Sequence, residues 1–256
     1  MLLTIDVGNS NTVIGVFEGP ELVHHWRIST ETHRTPDEIA LTLQGLLTHA
    51  SVAVDRDLSG VVVASVVPAM TEVYREMADR YFAFPPVVVE PGVRTGLSMR
   101  VDNPREIGAD RIVNALAAVE LYGAPSIVVD FGTATSFEAI DRDGAFVGGA
   151  IAPGIRVSTE ALSEKAARLP KVETLRPTSA IGRSTVAAVQ SGIVYGFAGQ
   201  VDAIVRRLSS ELGPGVTTVA TGGLAAPVLD ACETLDHHDP WLTLKGLRII
   251  WERNAH

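Results

Sequence analysis

The sequence predicts an α/β fold built from two similar subdomains that face each other across a cleft. Apolar strands near the start give way to alternating helices and strands, the mark of a mixed sheet with helices packed on it. An apolar run ending in Asp-x-Gly and a small polar residue, Leu2-Leu-Thr-Ile-Asp6-Val-Gly-Asn9, recurs as Ser126-Ile-Val-Val-Asp130-Phe-Gly-Thr133. A repeat about half a chain long points to internal duplication. The 256 residues suit one large domain or two small ones packed together, and 46% hydrophobic with 20% charged residues excludes a disordered or fibrous chain. Aromatic residues are only 5%, so Val, Ala, Leu and Ile must build the core.

Leu2 to Val7 reads as a strand, followed by a glycine turn and the branched run Thr12 to Phe17, hence a hairpin. Glu21 to Ile28 adds a third antiparallel strand. Pro36, with Asp37 and Glu38 behind it, opens a helix whose apolar positions are Ile39, Leu43, Leu46 and Leu47. Gly60 to Val67 is a buried strand, Ala69 to Phe82 an amphipathic helix, Pro86 to Glu90 a short strand, and Ile107 to Tyr122 a helix stopped at Gly123. The second copy then begins: Phe137 to Ile140 and Ala145 to Ile151 form the next hairpin around Asp141 to Gly144. Helices follow at Ile155 to Ala167 and Ser184 to Leu212, then a strand at Val216 to Thr221 and, after Gly222-Gly223, a helix through Val228. Leu242 to Trp251 fits a strand or a helix equally well.

A formal charge of −9 argues against a protein that coats nucleic acid or an anionic membrane. The single cysteine, Cys232, excludes an internal disulfide framework and a cysteine zinc site, and reads as a small buried residue in a reducing compartment. The N-terminus has no basic region and meets Asp6 early, so a strand is expected there and not a signal peptide. The apolar run Gly60 to Val67 is far shorter than the roughly 20 residues of a membrane span. The expected location is the cytoplasm. The pairs His24-His25 and His237-His238 lack a third ligand at helical spacing and read as solvated surface.

In the turn Asp6-Val7-Gly8-Asn9-Ser10-Asn11-Thr12-Val13, glycine lets the backbone approach a phosphate, Asn and Ser supply donors, and the acid at the strand end can hold hydrated Mg²⁺. Two such turns can hold a metal triphosphate; an ordinary hairpin turn is the other reading. P-loop and Rossmann fingerprints are absent. Thr221-Gly222-Gly223, between a strand and a helix, could present backbone N–H groups to a nucleotide. In the stretch Val101 to Asn114, Pro104 and Gly108 bracket a loop, and Asp110 and Arg111 fall in the first turns of a helix. The dipole would keep Asp110 ionised and able to accept a proton, while Arg111, misplaced for the dipole, asks for an anionic partner. Alternatively Asp110 only complements the dipole and Arg111 pairs with Glu106.

These motifs in this order resemble the type III pantothenate kinases of the actin/Hsp70/sugar-kinase ATPase superfamily: the first Asp-x-Gly-Asn-Ser turn, Asn103-Pro104 through Gly108-Ala109-Asp110-Arg111, Asp130 to Thr135, Gly148-Gly149 to Pro153-Gly154, Ile181 to Thr185, Ser191-Gly192 and Thr221-Gly222-Gly223. The resemblance implies a duplicated ribonuclease H-like (actin-like ATPase) fold, with subdomains at 1–115 and 116–256. It implies ATP-dependent phosphorylation of pantothenate, the first committed step towards coenzyme A. Asp6 to Val13 would cradle the ATP phosphates, with Asp6 near Mg²⁺ and Thr133 also at the nucleotide. Asp130 would bind a monovalent cation, K⁺ or NH₄⁺. Val101, Gly108 to Arg111 and Thr185 would line the pantothenate pocket, with Asp110 as the base and Arg111 on the substrate carboxylate. A homodimer is implied, with Ser184 to Leu212 as its interface. The sequence departs from the family at Val101, where a tyrosine is usual, which bears on substrate affinity. Two rivals stand beside this reading: a non-catalytic regulator of the Bvg accessory factor type on the same fold, and a kinase for another small hydroxy acid.

Overall fold

Three strands open the chain in the computed structural model, which describes residues 1–166, 169–170 and 172–255: β1 (Leu2–Val7), β2 (Asn11–Glu18) and β3 (Glu21–Ser29). β1 is buried at every position but Asp6 because both its faces are covered. It pairs antiparallel with β2, and β2 with β3. Helix α1 (Pro36–His49) starts with a reciprocal cap: Thr35 Oγ1 accepts the Glu38 N–H at 3.3 Å and Glu38 Oε2 accepts the Thr35 N–H at 2.8 Å. Ile39, Leu43 and Leu47 are buried and Leu46 partly so. After the short α2 (Val54–Asp57) come β4 (Gly60–Ser65), α3 (Pro68–Tyr81) and β5 (Val87–Val88). β4 lies parallel to β1, and β5 parallel to β4. β4 stops at Ser65, two residues short of the expected end, because Ser65 Oγ accepts the Val67 N–H at 3.1 Å and turns the chain into α3. At the sheet edge, the expected strand Pro86 to Glu90 reduces to two named residues.

The second half repeats this order. α4 (Ala109–Tyr122) leads to β6 (Ser126–Phe131), β7 (Ala134–Ile140), β8 (Phe146–Pro153), α5 (Ile155–Lys165), α6 (Thr185–Leu212), β9 (Thr217–Thr221), α7 (Ala226–Leu229), β10 (His237–His238) and α8 (Leu242–Asn254). The sheets run β3-β2-β1-β4-β5 and, read from the matching edge, β8-β7-β6-β9-β10. In each, the first three strands are antiparallel and the last two parallel to the first. Even the register shift recurs, at Val16/Phe17 in β2 and Ala139/Ile140 in β7. The duplication expected from the two Asp-x-Gly turns is therefore a duplication of topology.

The chain forms two compact units: Met1–Leu97 with Asp102–Ala117 and the segment from Leu242, and Ser98–Val101 with Ala118–Trp241. In the first, Leu3, Ile5, Val61 and Val63 pack against Ile39, Leu43, Tyr74 and Met77. In the second, Ile127, Val129 and Phe137 pack against Ile155, Val194 and Val201. The ambiguous segment Leu242 to Trp251 is helical. α8 lies on β1 and β4, and its Gly246 sits so close to α4 that a Cβ there would come within 2.5 Å of Val113 O. Ala167, the expected end of α5, lies outside the described residues.

Cys232 is half-buried and burial pushes its thiol up to about 12, which makes it unreactive. His25, His237 and His238 are exposed and His24 half-buried. Among the described residues no three His, Cys, Asp or Glu side chains cluster as ligands for a metal ion, and no helix is long and apolar enough to cross a membrane.

Candidate active site

Between the paired Val7 and Thr12, the first turn spans four residues, Gly8 to Asn11, the last of them the first residue of β2. The Gly8 N–H donates to Asn11 O at 3.0 Å, which closes the turn. Asp6 stands one residue before the end of β1, opposite Val13 on β2 and Ala64 on β4. Asn9 is exposed, and Asp6, Gly8, Ser10 and Asn11 are half-buried, so these can reach a ligand. Val7 and Thr12 are buried and Val13 is half-buried.

Asp110 belongs to the same unit. The helix expected from Ile107 begins at Ala109, because Pro104–Glu106 forms a separate 3₁₀ turn. Asn103 shapes that turn: its Oδ1 accepts the Arg105 N–H at 3.2 Å and its Nδ2 donates to Glu106 Oε1 at 2.6 Å. The Asp110 carboxylate then folds back over the N-terminus of α4 and accepts the Arg111 N–H at 2.8 Å. Gly108 makes room for it, since a Cβ there would stand 2.6 Å from Asp110 Oδ1. Burial raises the Asp110 carboxyl above its ordinary value, against the pull of the Arg111 N–H and guanidinium. The same Cβ would also touch Val66 at 3.5 Å, and the Val66 N–H donates to Val7 O at 3.0 Å. The glycine turn and Asp110 therefore occupy one end of one sheet, at the C-terminal ends of β1 and β4, where ligands of open α/β sheets bind.

In the second unit the turn is one residue shorter: Gly132 to Ala134, between the paired Phe131 and Thr135, with the Gly132 N–H on Ala134 O at 3.0 Å. Asp130 lies opposite Ser136 on β7 and Thr221 on β9. Gly222, just after β9, has φ +94° and rests on the Asp130 carboxylate, where a Cβ would also come within 2.6 Å of Phe131 N and 2.7 Å of its carbonyl oxygen. Gly154, at the start of α5, presses as closely on the Gly132 and Thr133 carbonyl oxygens. The glycine motifs at Gly154 and Gly222 thus converge on Asp130 and the turn that carries Thr133.

Thr185 opens α6, capped by Ser184 Oγ, which accepts the Ala187 N–H at 3.2 Å. It lines a groove of about 880 Å³ between α5 and α6, together with Ser158, Arg183, Ile193 and Phe197. Val101 belongs to the second unit, next to a segment bound to β8 by the Arg100 N–H on Phe146 O at 2.9 Å and the Phe146 N–H on Ser98 O at 2.8 Å. Sequence reasoning missed Thr30, whose N–H donates to Ser10 O at 3.1 Å and whose hydroxyl lies 2.9 Å from that of Thr12. No motif announced it, because the contact joins residues 18 positions apart.

The family model for type III pantothenate kinase matches residues 2–207. Curated relatives carrying that name include proteins of Thermobifida fusca, 56% identical over 100% of both chains, and Streptomyces coelicolor, 54% identical over 100% of this chain and 99% of its own. Among solved structures, a Campylobacter jejuni protein assigned to the Baf family of transcriptional activators is similar, with a TM-score of 0.59, 18% identity and coverage of 98% and 97%. Component A of the (R)-2-hydroxyglutaryl-CoA dehydratase of Acidaminococcus fermentans has a TM-score of 0.53, 14% identity and 99% coverage of each chain. At these identities the structures speak for the fold alone, that of actin-like ATPases and sugar kinases. The sequence relatives, matched over their full length, speak for more: this chain belongs to the type III pantothenate kinase family.

Proposed function

We propose that the chain transfers the γ-phosphoryl group of ATP to the primary hydroxyl of pantothenate, giving 4′-phosphopantothenate in the first step of coenzyme A synthesis. The observation that carries this reading is the Asp110 carboxylate, raised by burial and fixed at a helix start, on the same sheet end as the Gly8–Asn11 turn. A regulator has no need of a half-buried ionisable group beside such a turn.

Backbone N–H groups and the Asn9 and Ser10 side chains of the first turn hold the ATP phosphates, with Thr133 as a further nucleotide contact. Arg111 holds the pantothenate carboxylate and so points the far hydroxyl end at Asp110. A loose, metaphosphate-like transition state asks for alignment and charge neutralisation more than for a strong base, so Asp110 needs only to receive the hydroxyl proton late. Asp6 suits Mg²⁺, which commonly takes one or two protein carboxylates and keeps water and phosphate as its other ligands. Asp130, its carboxylate cradled where a Gly222 Cβ would otherwise sit, suits a monovalent cation. When bound, these cations neutralise charge on the nucleotide that a protein of net charge −9 cannot neutralise by its overall field.

The active form in this reading is a homodimer joined through α6, in the cytoplasm. Gly192, Gly196 and Gly199 are exposed along one face of that helix, beside Tyr195 at 40% exposure. Each mid-helix glycine costs about 1 kcal/mol relative to alanine, a cost that close approach of a second backbone offsets.

The reading is tested by ADP release in a coupled assay with pantothenate and a panel of other hydroxy acids. Pantothenate should give the highest kcat/KM. Release with another acid but not with pantothenate would favour the second kinase reading, and none with any acceptor the regulator.

A further inference from the structure

Thr30 meets the first turn and the start of β2 at two points, through Ser10 O and through the Thr12 hydroxyl. Thr12 is 1% exposed, and its hydroxyl faces into the unit, between the Thr30 hydroxyl and the buried Tyr74. The duplicated fold supplies an internal comparison. Thr135 follows the second turn as Thr12 follows the first, in the same register against the central strand. Yet the buried Thr135 hydroxyl makes no hydrogen bond among the described residues. The second turn is backed by the backbone at Gly154 instead. It is also one residue shorter, so it has less freedom to lose. The longer turn has a side-chain brace from Thr30, just past the end of the edge strand β3.

We infer that Thr30 is a positioning residue for ATP, acting through Thr12 and Ser10 to hold the Gly8–Asn11 turn in its phosphate-binding shape. This rests on the reading of Asp6 to Val13 as the nucleotide turn. Thr30 touches no reacting group, so its removal weakens ATP binding and spares the acceptor side.

The experiment measures kcat and both KM values for the wild type, Thr30→Val, Thr30→Ser, Thr12→Val and the Thr30→Val/Thr12→Val double variant. Thr30→Val keeps the backbone bond to Ser10 and loses only the hydroxyl. Its KM for ATP is expected to rise about three- to tenfold, the effect of one lost hydrogen bond, with kcat and the KM for pantothenate within about twofold. Thr30→Ser should restore the wild-type value, and the double variant should be no worse than Thr12→Val alone, because both remove one interaction. An unchanged KM for ATP, an equal rise in both KM values, or additive effects would overturn the inference. If Thr30→Val does not fold, Thr12→Val poses the question from the other side of the bond, and an unmoved KM for ATP again overturns it. A wild-type chain that forms no phosphopantothenate would sink the kinase reading itself, whereas normal wild-type kinetics with an unresponsive Thr30→Val would sink only the role of Thr30.

Discussion

Replacing Gly222 with alanine adds a single methyl group at the most crowded point of the second turn. At φ +94° an L-residue loses about 1–2 kcal/mol relative to glycine. The new Cβ would also overlap the Asp130 carboxylate and approach Phe131 N at 2.6 Å and Phe131 O at 2.7 Å. The last two are backbone atoms of β6 and cannot move aside cheaply, so overpacking adds roughly 1–3 kcal/mol. The sum, about 2–5 kcal/mol, corresponds to a fall of roughly 5–15 °C in the melting temperature of a chain this size. Thermal unfolding followed by circular dichroism measures it, with Gly45→Ala as the contrast. Gly45 is exposed within α1 and nothing lies within 4 Å of its missing Cβ, so alanine there should stabilise by about 0.5–1 kcal/mol. If Asp130 holds the proposed monovalent cation, its forced shift in Gly222→Ala should also weaken any activation by K⁺ or NH₄⁺. A Gly222→Ala protein that melts within about 1 °C of wild type and keeps its cation response would refute the packing argument and the role given to Asp130.

Asp110 carries a stability cost of definite sign. Its folded pKa is raised, so the fold binds a proton more tightly than the unfolded chain, and stability falls as pH rises from the unfolded value near 3.8 through the raised value. Asp110→Asn should therefore be more stable than wild type at pH 7 in urea unfolding, with the difference closing below about pH 4; a variant less stable at pH 7 would contradict the sign. If the proposed homodimer joins through α6, Gly196→Leu on its exposed face should leave the fold intact and sediment as a monomer where the wild type sediments as a dimer, and a variant that dimerises like the wild type would remove α6 as the interface.

Much of this was legible before any coordinates. The duplication could be read because Asp6 and Asp130 each sit one residue before the end of a central strand, where burial demands a continuous apolar run and the turn demands glycine. α1 could be read because Thr35, Pro36 and Glu38 write its cap into four consecutive residues. The fate of Leu242 to Trp251 could not, since Leu242, Leu244, Leu247, Ile249 and Ile250 fit both periods and only packing on β1 and β4 decides for a helix. At the site, Asp110 was visible as an acid in a first helical turn. That Gly108 makes room for its carboxylate was not, because the helix starts two residues later than the apolar pattern suggests. Thr30 and the convergence of Gly154 and Gly222 on one turn are contacts across long stretches of chain, which local patterns do not carry.

The central claim is that this chain phosphorylates pantothenate with Asp110 as the proton acceptor. The most direct measurement is kcat/KM against pH for wild type and Asp110→Asn, with the product identified by mass. The account predicts 4′-phosphopantothenate from the wild type and an acid limb above pH 3.8, because only the ionised carboxylate can take the proton and burial has raised its pKa. Asp110→Asn should be slower by about 10²–10⁴-fold and lose that limb. A wild type that forms no phosphorylated product, or an Asp110→Asn enzyme close to wild-type rate with the limb intact, would contradict it.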